Sequence, residues 1–268
     1  MSDEQLLNAL IGVAIEAGRA VSDIYCADFE VSVKSDSSPV TAADHASEAI
    51  ILEHLASLAP NIPVIAEESV EAGHVPSVGR EFFLVDPLDG TKEFVHRRGD
   101  FTVNIALIRD RAPALGVVYA PATSRLFAGI VARGSALQSN QDSHESTRAP
   151  TQAIRVRARP GEGITAVASR SHRTPETDAY LSQYTVADVV SVGSSLKFCL
   201  VATGEADLYP RLGPTMEWDT AAGHAVLLAA GGMVIAADGA PLVYGKPSFR
   251  NGSFIASGGF LPLPIART

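Results

Sequence analysis

The sequence predicts an α/β fold in two halves, an α+β half over residues 1–152 and an α/β half over residues 153–268. Three observations carry this. Between residues 101 and 131, three apolar runs are joined by the short connections Arg109-Asp110-Arg111 and Pro121-Ala-Thr-Ser124, too short for anything but antiparallel pairing. From residue 164 onward, strand-like and helix-like runs alternate, the pattern of an α/β unit. Between the two, residues 138–152 are polar and almost devoid of large apolar side chains, which marks the boundary.

Taken in order, Leu6, Leu7, Leu10, Ile11, Ala14, Ala17, Val21 and Ile24 recur at spacings of three and four, so an amphipathic helix is expected over about 4–26. A polar stretch through Ser35-Asp-Ser-Ser-Pro39 follows. Thr41 is placed to cap a second helix, about 41–59, which Pro60 ends. Strands are expected at 62–66 and 82–86; the unbroken apolar run Phe82 to Val85 suits a strand buried on both faces, and Pro87 should stop it. The antiparallel runs are 101–108, 115–119 and 126–131. In the second half, strands are expected at 164–168, 186–192, 206–209, 232–236 and 253–256, with helices at about 175–184, 194–203 and 219–230.

Length and composition bound the function. At 268 residues, one unit of two subdomains is the default, and a hydrophobic fraction of 46% fills a sizeable core. Charged residues make up only 19%, with a formal net charge of -9, which argues against a broad basic surface for nucleic acid. A small phosphorylated ligand is compatible, its charge met locally. The start Met-Ser-Asp-Glu-Gln is acidic where a secretory signal needs basic residues, and no apolar run approaches the roughly 20 residues that span a bilayer. Cys26 and Cys199 stand far apart and alone, so a reduced, cytoplasmic compartment with two free thiols is expected. The seven histidines lack ligand spacing.

Three acidic clusters carry the chemistry. Phe82-Phe-Leu-Val-Asp-Pro-Leu-Asp-Gly-Thr91 is an apolar strand ending in Asp86 and Asp89; Ile62-Pro-Val-Ile-Ala-Glu-Glu68 ends in Glu67 and Glu68; Glu217-Trp-Asp219 opens an alanine-rich helix. Each alone has a plain explanation. Asp219 suits a helix N-cap, and Glu67 with Glu68 suits a solvated loop. Together, carboxylates at the ends of three apolar elements form the arrangement that a multi-metal phosphate site needs, since close carboxylates resist joint ionisation unless cations neutralise them. Mg²⁺, hard and oxygen-seeking, fits, and the Gly90-Thr91 amides suit a phosphate oxygen if a helix starts there.

These segments resemble the signature of the lithium-sensitive, magnesium-dependent phosphatase superfamily that contains the inositol monophosphatases, fructose-1,6-bisphosphatases and bisphosphate nucleotidases. Asp86-Pro-Leu-Asp-Gly-Thr-Lys-Glu-Phe94, Gly193-Ser-Ser-Leu-Lys-Phe-Cys199 and Leu208-Tyr-Pro-Arg-Leu-Gly-Pro-Thr215 resemble in particular its bacterial 3'(2'),5'-bisphosphate nucleotidases. The likeness runs from about Ser38-Pro-Val-Thr-Ala-Ala-Asp44 to Ala230. It implies a layered αβαβα sandwich with the site in the cleft between halves, two or three Mg²⁺ ions per active site, and inhibition by Li⁺.

Roles are carried over by motif position. The resemblance implies that Asp86 bridges two metals, with Glu67 and the Leu88 carbonyl completing one site and Asp89 and Asp219 the other. Thr91 with Glu67 orients the attacking water. Asp44 has two readings, a carboxylate near that water and the capping-box partner of Thr41. Only one of Glu67 and Glu68 should reach the metals, because neighbours at a strand end point in opposite directions. For the substrate, Leu88, Asp89, Gly90, Thr91 and Asp219 lie at the hydrolysed phosphate. Ser194, Ser195 and Lys197 combine a turn, hydroxyls and a cation at a helix start. Lys197 and Arg211 are expected to hold a 5'-phosphate, with Ser169 as a further substrate contact, His172 near the sugar or base and Trp218 as packing. The expected activity is conversion of adenosine 3',5'-bisphosphate to AMP and phosphate, with 3'-phosphoadenylyl sulfate as a further substrate in sulfate assimilation. The partner is a small bisphosphate nucleotide, with no nucleic acid and no stable protein partner. An inositol monophosphatase is the rival within the fold, and a non-catalytic nucleotide-binding protein the rival outside enzymology.

Overall fold

The computed structural model describes residues 1–33, 39–141, 149–169 and 174–265. Ser2 opens the first helix, α1 (Asp3–Cys26), with a complete capping box: its hydroxyl accepts from the Gln5 N–H, and the Gln5 side chain accepts from the Ser2 N–H. The stretch expected to be a plain polar connection contains a small antiparallel pair, β1 (Val31–Val33) and β2 (Pro39–Thr41). Three-residue strands carry too little periodicity to be read in advance. Thr41 ends β2 and caps α2 (Ala42–Leu58). Then come β3 (Val64–Ala66), α3 (Glu67–Glu71), β4 (Glu81–Asp89), α4 (Thr91–Val95), β5 (Thr102–Arg109), β6 (Ala112–Ala120), β7 (Arg125–Ile130), β8 (Ser135–Asn140) and β9 (Gln152–Ile154).

The seven strands β3 to β9 form one sheet in sequence order, with β3 and β4 parallel and every later pair antiparallel. The polar run 138–152 is therefore not simply a boundary loop. Its two ends belong to β8 and β9, which pair with each other. Ladder hydrogen bonds need only backbone groups, and strands near a sheet edge keep polar faces. The chain leaves this sheet after Ile154.

The second half supplies β10 (Ile164–Ser169), α5 (Pro175–Leu181), β11 (Val186–Val192), α6 (Leu196–Ala202), β12 (Leu208–Arg211), β13 (Thr215–Met216), α7 (Trp218–Ala229), β14 (Met233–Ala236), β15 (Arg250–Asn251) and β16 (Phe254–Ser257). A second sheet runs in the order β11-β10-β12-β16-β14, its first three strands parallel. β13 and β15 form a separate short pair.

Layering follows from side-chain alternation. Phe83, Val85, Val103, Ile105 and Leu107 face the core under α1 and α2, whereas Phe82, Leu84, Ala106 and Ile108 face the core shared with α6 and α7. Across that helical layer, Val167, Tyr209, Phe254 and Ala256 belong to the second sheet; Ile164, Ala166, Leu208 and Ile255, on its far face, pack with Tyr180 and Leu181 of α5. The result is the αβαβα sandwich. α7 sits between the sheets and is apolar or small on nearly every side. It can approach β6 because Gly116 has no Cβ; one built there would lie 2.4 Å from the Ala222 carbonyl oxygen.

Candidate active site

β4 does not stop at Pro87, as the sequence suggested, but runs on to Asp89. Asp86 pairs with Asn104 and Asp89 with Thr102, so three steps on β4 oppose two on β5. That single extra residue is a bulge. In a regular strand, residues three apart point to opposite faces; the bulge returns Asp86 and Asp89 to the same face. Proline has no N–H to give a ladder, and a bulge is where it is tolerated. Within it, the Leu88 N–H donates to Asp86 Oδ1 at 3.1 Å, and the Pro87 carbonyl accepts from Ser47 Oγ at 2.7 Å. Gly90 follows at φ 93°, where a Cβ would meet the Asp100 carbonyl oxygen at 2.8 Å.

Thr91 and Asp44 meet across the site. Asp44 Oδ2 accepts from the N–H and hydroxyl of Thr41 at 2.8 and 2.9 Å, while Oδ1 lies 3.2 Å from Thr91 Oγ1. The capping-box reading of Asp44 holds, and because a carboxylate has two oxygens the other is left for Thr91. The Thr91 hydroxyl has a second acceptor in the Leu88 carbonyl, at 3.1 Å. Its one proton is shared between two acceptors, which leaves its oxygen to accept from a water.

Glu67 and Glu68 do not end a strand but begin helix α3, so their side chains diverge by roughly 100°, not by strand alternation. Glu67 lines the central cavity and Glu68 is buried away from it. Glu48 of α2 fixes this turn: its Oε2 accepts from the Glu68 N–H at 2.9 Å and its Oε1 from Ser69 Oγ at 2.6 Å. No sequence signal pointed to Glu48. Asp219 likewise is not the N-cap of its helix, a position held by Glu217. It lies in the first turn and accepts from the Met216 N–H at 2.8 Å.

The cavity, of about 460 Å³, opens between the halves. Glu67, Asp89, Gly90, Thr91 and Asp219 line it, as do Ser169, Ser194, Lys197 and Arg211. Lys92, Glu93, Thr215, Met216 and Trp218 join them, of which only Met216 lies outside the segments singled out in the sequence. Asp86, Leu88 and Asp44 are buried and do not line its wall. Nor does Ser195, whose N–H donates to Asp89 Oδ2 at 2.6 Å and whose hydroxyl donates to the Asp219 carbonyl at 2.6 Å; it joins the two acidic elements. His172 lies outside the described residues.

Electrostatics mark this cavity. Burial, then repulsion from Asp89 and Glu67, pushes the Asp219 carboxyl well above the usual range. Burial also raises Asp89, against the attraction of Lys197 and the Ser195 N–H. Lys197, whose ammonium donates to the Ser194 carbonyl at 2.5 Å, is lowered to about 8 by burial, with Asp89 opposing the shift. Arg211 donates to the Pro214 carbonyl at 2.9 Å and leaves its Nε buried without a partner among the described residues. Among those residues, no three His, Cys, Asp or Glu side chains already converge on one metal position. The donor set nonetheless suits divalent cations: hard oxygens at mutual repulsion, whose ionised form a dication favours. In the same cavity, Lys197 and Arg211 suit an anion.

Comparison with known proteins agrees with this fold. The model of the inositol monophosphatase family matches residues 2–259. A curated relative from Salmonella typhimurium, 3'(2'),5'-bisphosphate nucleotidase CysQ, is 46% identical over 253 residues, 93% of this chain and 98% of the relative. The crystal structure of CysQ from Bacteroides thetaiotaomicron, described as a bacterial member of the inositol monophosphatase family, superposes with a TM-score of 0.81 at 37% identity, covering 97% of this chain and 99% of that one. An inositol monophosphatase from Anabaena is more distant, at TM-score 0.74 and 27% identity over 96% and 92% of the two chains.

Proposed function

The chain belongs to the inositol monophosphatase family, and from that premise we propose that it is a cytoplasmic, Mg²⁺-dependent 3'(2'),5'-bisphosphate nucleotidase that converts adenosine 3',5'-bisphosphate to AMP and phosphate. The observation that carries this reading is one cavity lined by the carboxylates Glu67, Asp89 and Asp219 together with the cations Lys197 and Arg211. A substrate with two separated phosphates needs both kinds of group. The relatives' names support the same substrate class. Removal of the 3'-phosphate of 3'-phosphoadenylyl sulfate, and with it a place in sulfate assimilation, is the natural extension, since both nucleotides carry the same 3'-phosphate.

Water adds to phosphorus as the bond to the ribose oxygen breaks. Glu67, Asp86, Asp89, Asp219 and the Leu88 carbonyl would hold two or three Mg²⁺ ions, which would supply activation of that water and neutralisation of the departing alkoxide. The protein's own groups orient it. Thr91 directs its proton to Asp44 or the Leu88 carbonyl, so its lone pairs face the cavity, where Glu67 supplies a second acceptor for the water. Lys197 and Arg211 hold the phosphate that is not cleaved, and Trp218, packed on Phe249 at 6.4 Å between ring centroids, forms part of the cavity wall.

A substrate panel tests this. Phosphate release from adenosine 3',5'-bisphosphate, 3'-phosphoadenylyl sulfate, 3'-AMP and inositol 1-phosphate is measured with and without Mg²⁺, and the bisphosphate should be the best substrate only when Mg²⁺ is present. Faster release from inositol 1-phosphate would make the chain an inositol monophosphatase, and no release from any of them a binding protein.

A further inference from the structure

Asn104 sits in the middle of β5, directly opposite Asp86 on β4, and is fully buried. Its side chain faces the α7 side of the sheet with the acidic residues. Its amide Nδ2 donates to Asp89 Oδ2, 3.3 Å away, and to Ser195 Oγ, 3.2 Å away. Ser195 in turn gives its N–H to the same Asp89 oxygen and its hydroxyl proton to the Asp219 carbonyl. A single amide thereby ties the carboxylate of the first sheet to the helix start and the α7 terminus of the second half.

The direction of the chain of donors is fixed. Asn104 Oδ1 has no hydrogen-bond partner among the described residues although it is buried. Turning the amide over would not relieve this, because Oδ1 would then face a carboxylate oxygen. Leaving a buried acceptor bare is unfavourable, and the arrangement persists because both donors are used. A residue kept only for packing would not be polar here. Serine would be too short to reach both acceptors, and leucine would fill the space without donating.

We propose that Asn104 is a positioning residue, which orients Asp89 and, through Ser195, the Asp219 turn so that the acidic residues face the cavity in the geometry a divalent cation needs. This rests on the reading of the cavity as a Mg²⁺ phosphatase site. Asn104 is fully buried and does not line the cavity; it acts through Asp89 and Ser195.

Asn104→Leu and Asn104→Asp test it. In Asn104→Leu, which keeps the shape, Mg²⁺ affinity measured by calorimetry and kcat should each fall by roughly 10 to 100-fold, the range found when groups that hold metal ligands are removed. KM for adenosine 3',5'-bisphosphate at saturating Mg²⁺ should stay within a few-fold. In Asn104→Asp, a second acceptor faces Asp89, so the melting temperature without Mg²⁺ should fall and added Mg²⁺ should raise it by more than it raises that of wild type. Should Asn104→Leu not fold, the Mg²⁺-induced shift in Asn104→Asp decides alone. Leucine and aspartate variants that keep wild-type Mg²⁺ affinity and wild-type Mg²⁺-induced shifts overturn the proposal. Wild type that binds Mg²⁺ but releases no phosphate overturns the functional reading instead, and the calorimetric comparison still decides the role of Asn104.

Discussion

Asp86 is the residue whose replacement separates charge from shape most cleanly. Its Oδ1 accepts from the Leu88 N–H, a bond that asparagine can keep through its own Oδ1, so the bulge should survive Asp86→Asn. The negative charge is lost. If the carboxylate holds two cations, activity should fall by at least ~10³-fold, about 4 kcal/mol of transition-state stabilisation; more than a tenth of wild-type activity with unchanged Mg²⁺ dependence would remove Asp86 from that role. Lys197 asks a different question. Its ammonium lies in the cavity within the field of Asp89, so it either grips the uncleaved phosphate or serves the carboxylates. Lys197→Met keeps the aliphatic stem, and a charge-assisted contact is typically worth ~1.5 to 3 kcal/mol. The expected outcome is a drop in kcat/KM of roughly 10 to 100-fold for adenosine 3',5'-bisphosphate and only a few-fold for 3'-AMP. Equal losses on both substrates would assign Lys197 to the carboxylates.

Among the elements, β4 and α7 do most to place the site, and each does so through a local irregularity. The bulge at Pro87-Leu88 sets two aspartates on one face, and the close seat of α7 on β6 sets Asp219 opposite them. Gly116→Ala probes that seat. Its new Cβ would lie 2.4 Å from the Ala222 carbonyl oxygen and 2.7 Å from the Ala225 Cβ, neither of which is the end of a flexible chain. α7 must lift. A loss of ~1 to 3 kcal/mol in urea unfolding is expected, the usual cost of overpacking, together with reduced activity because Asp219 rides on the helix. An unchanged unfolding midpoint would mean that α7 has slack on this face. The pair Glu67 and Glu68 shows how an element can be misread while its residues are read well. One neighbour does reach the cavity and the other does not, but the divergence is helical.

For the whole molecule, the central helical layer buries groups that must stay neutral. His224 of α7 is 2% exposed, bonded through Nδ1 to the Tyr244 hydroxyl at 2.9 Å, and burial lowers its pKa to about 3. An ordinary histidine in the unfolded chain titrates near 6.5. Between those values the unfolded chain binds more protons than the folded one, so stability falls as the pH drops below about 6.5 and continues to fall toward 3, by up to roughly 5 kcal/mol. His224→Gln keeps a polar partner for Tyr244 and removes the titration. Its urea midpoint should change less than that of wild type between pH 7.5 and pH 5; parallel changes in both proteins would assign the acid sensitivity to other groups. The polar network around it, Thr220, Tyr244 and Asn251, links this layer to the β13–β15 pair beside the cavity.

What the sequence by itself determined were features written in local periodicity and in short-range chemistry. The spacing of Leu6 to Ile24 specified α1, the Thr41 and Asp44 pair specified the start of α2, and the run Phe82 to Val85 specified a strand buried on both faces. The acidic segments, each ending or opening such an element, pointed to one site. Tertiary structure decided what depends on partners distant in the chain. A bulge is visible only against the strand it pairs with, so the common face of Asp86 and Asp89 required β5. Glu48 and Asn104 act on residues 20 and 15 positions away, and Ser195 on Asp89 106 positions away. A carboxylate on a helix face and an amide in an apolar strand carry no local mark of such roles, because a hydrogen bond is specified by geometry in space and not by order along the chain.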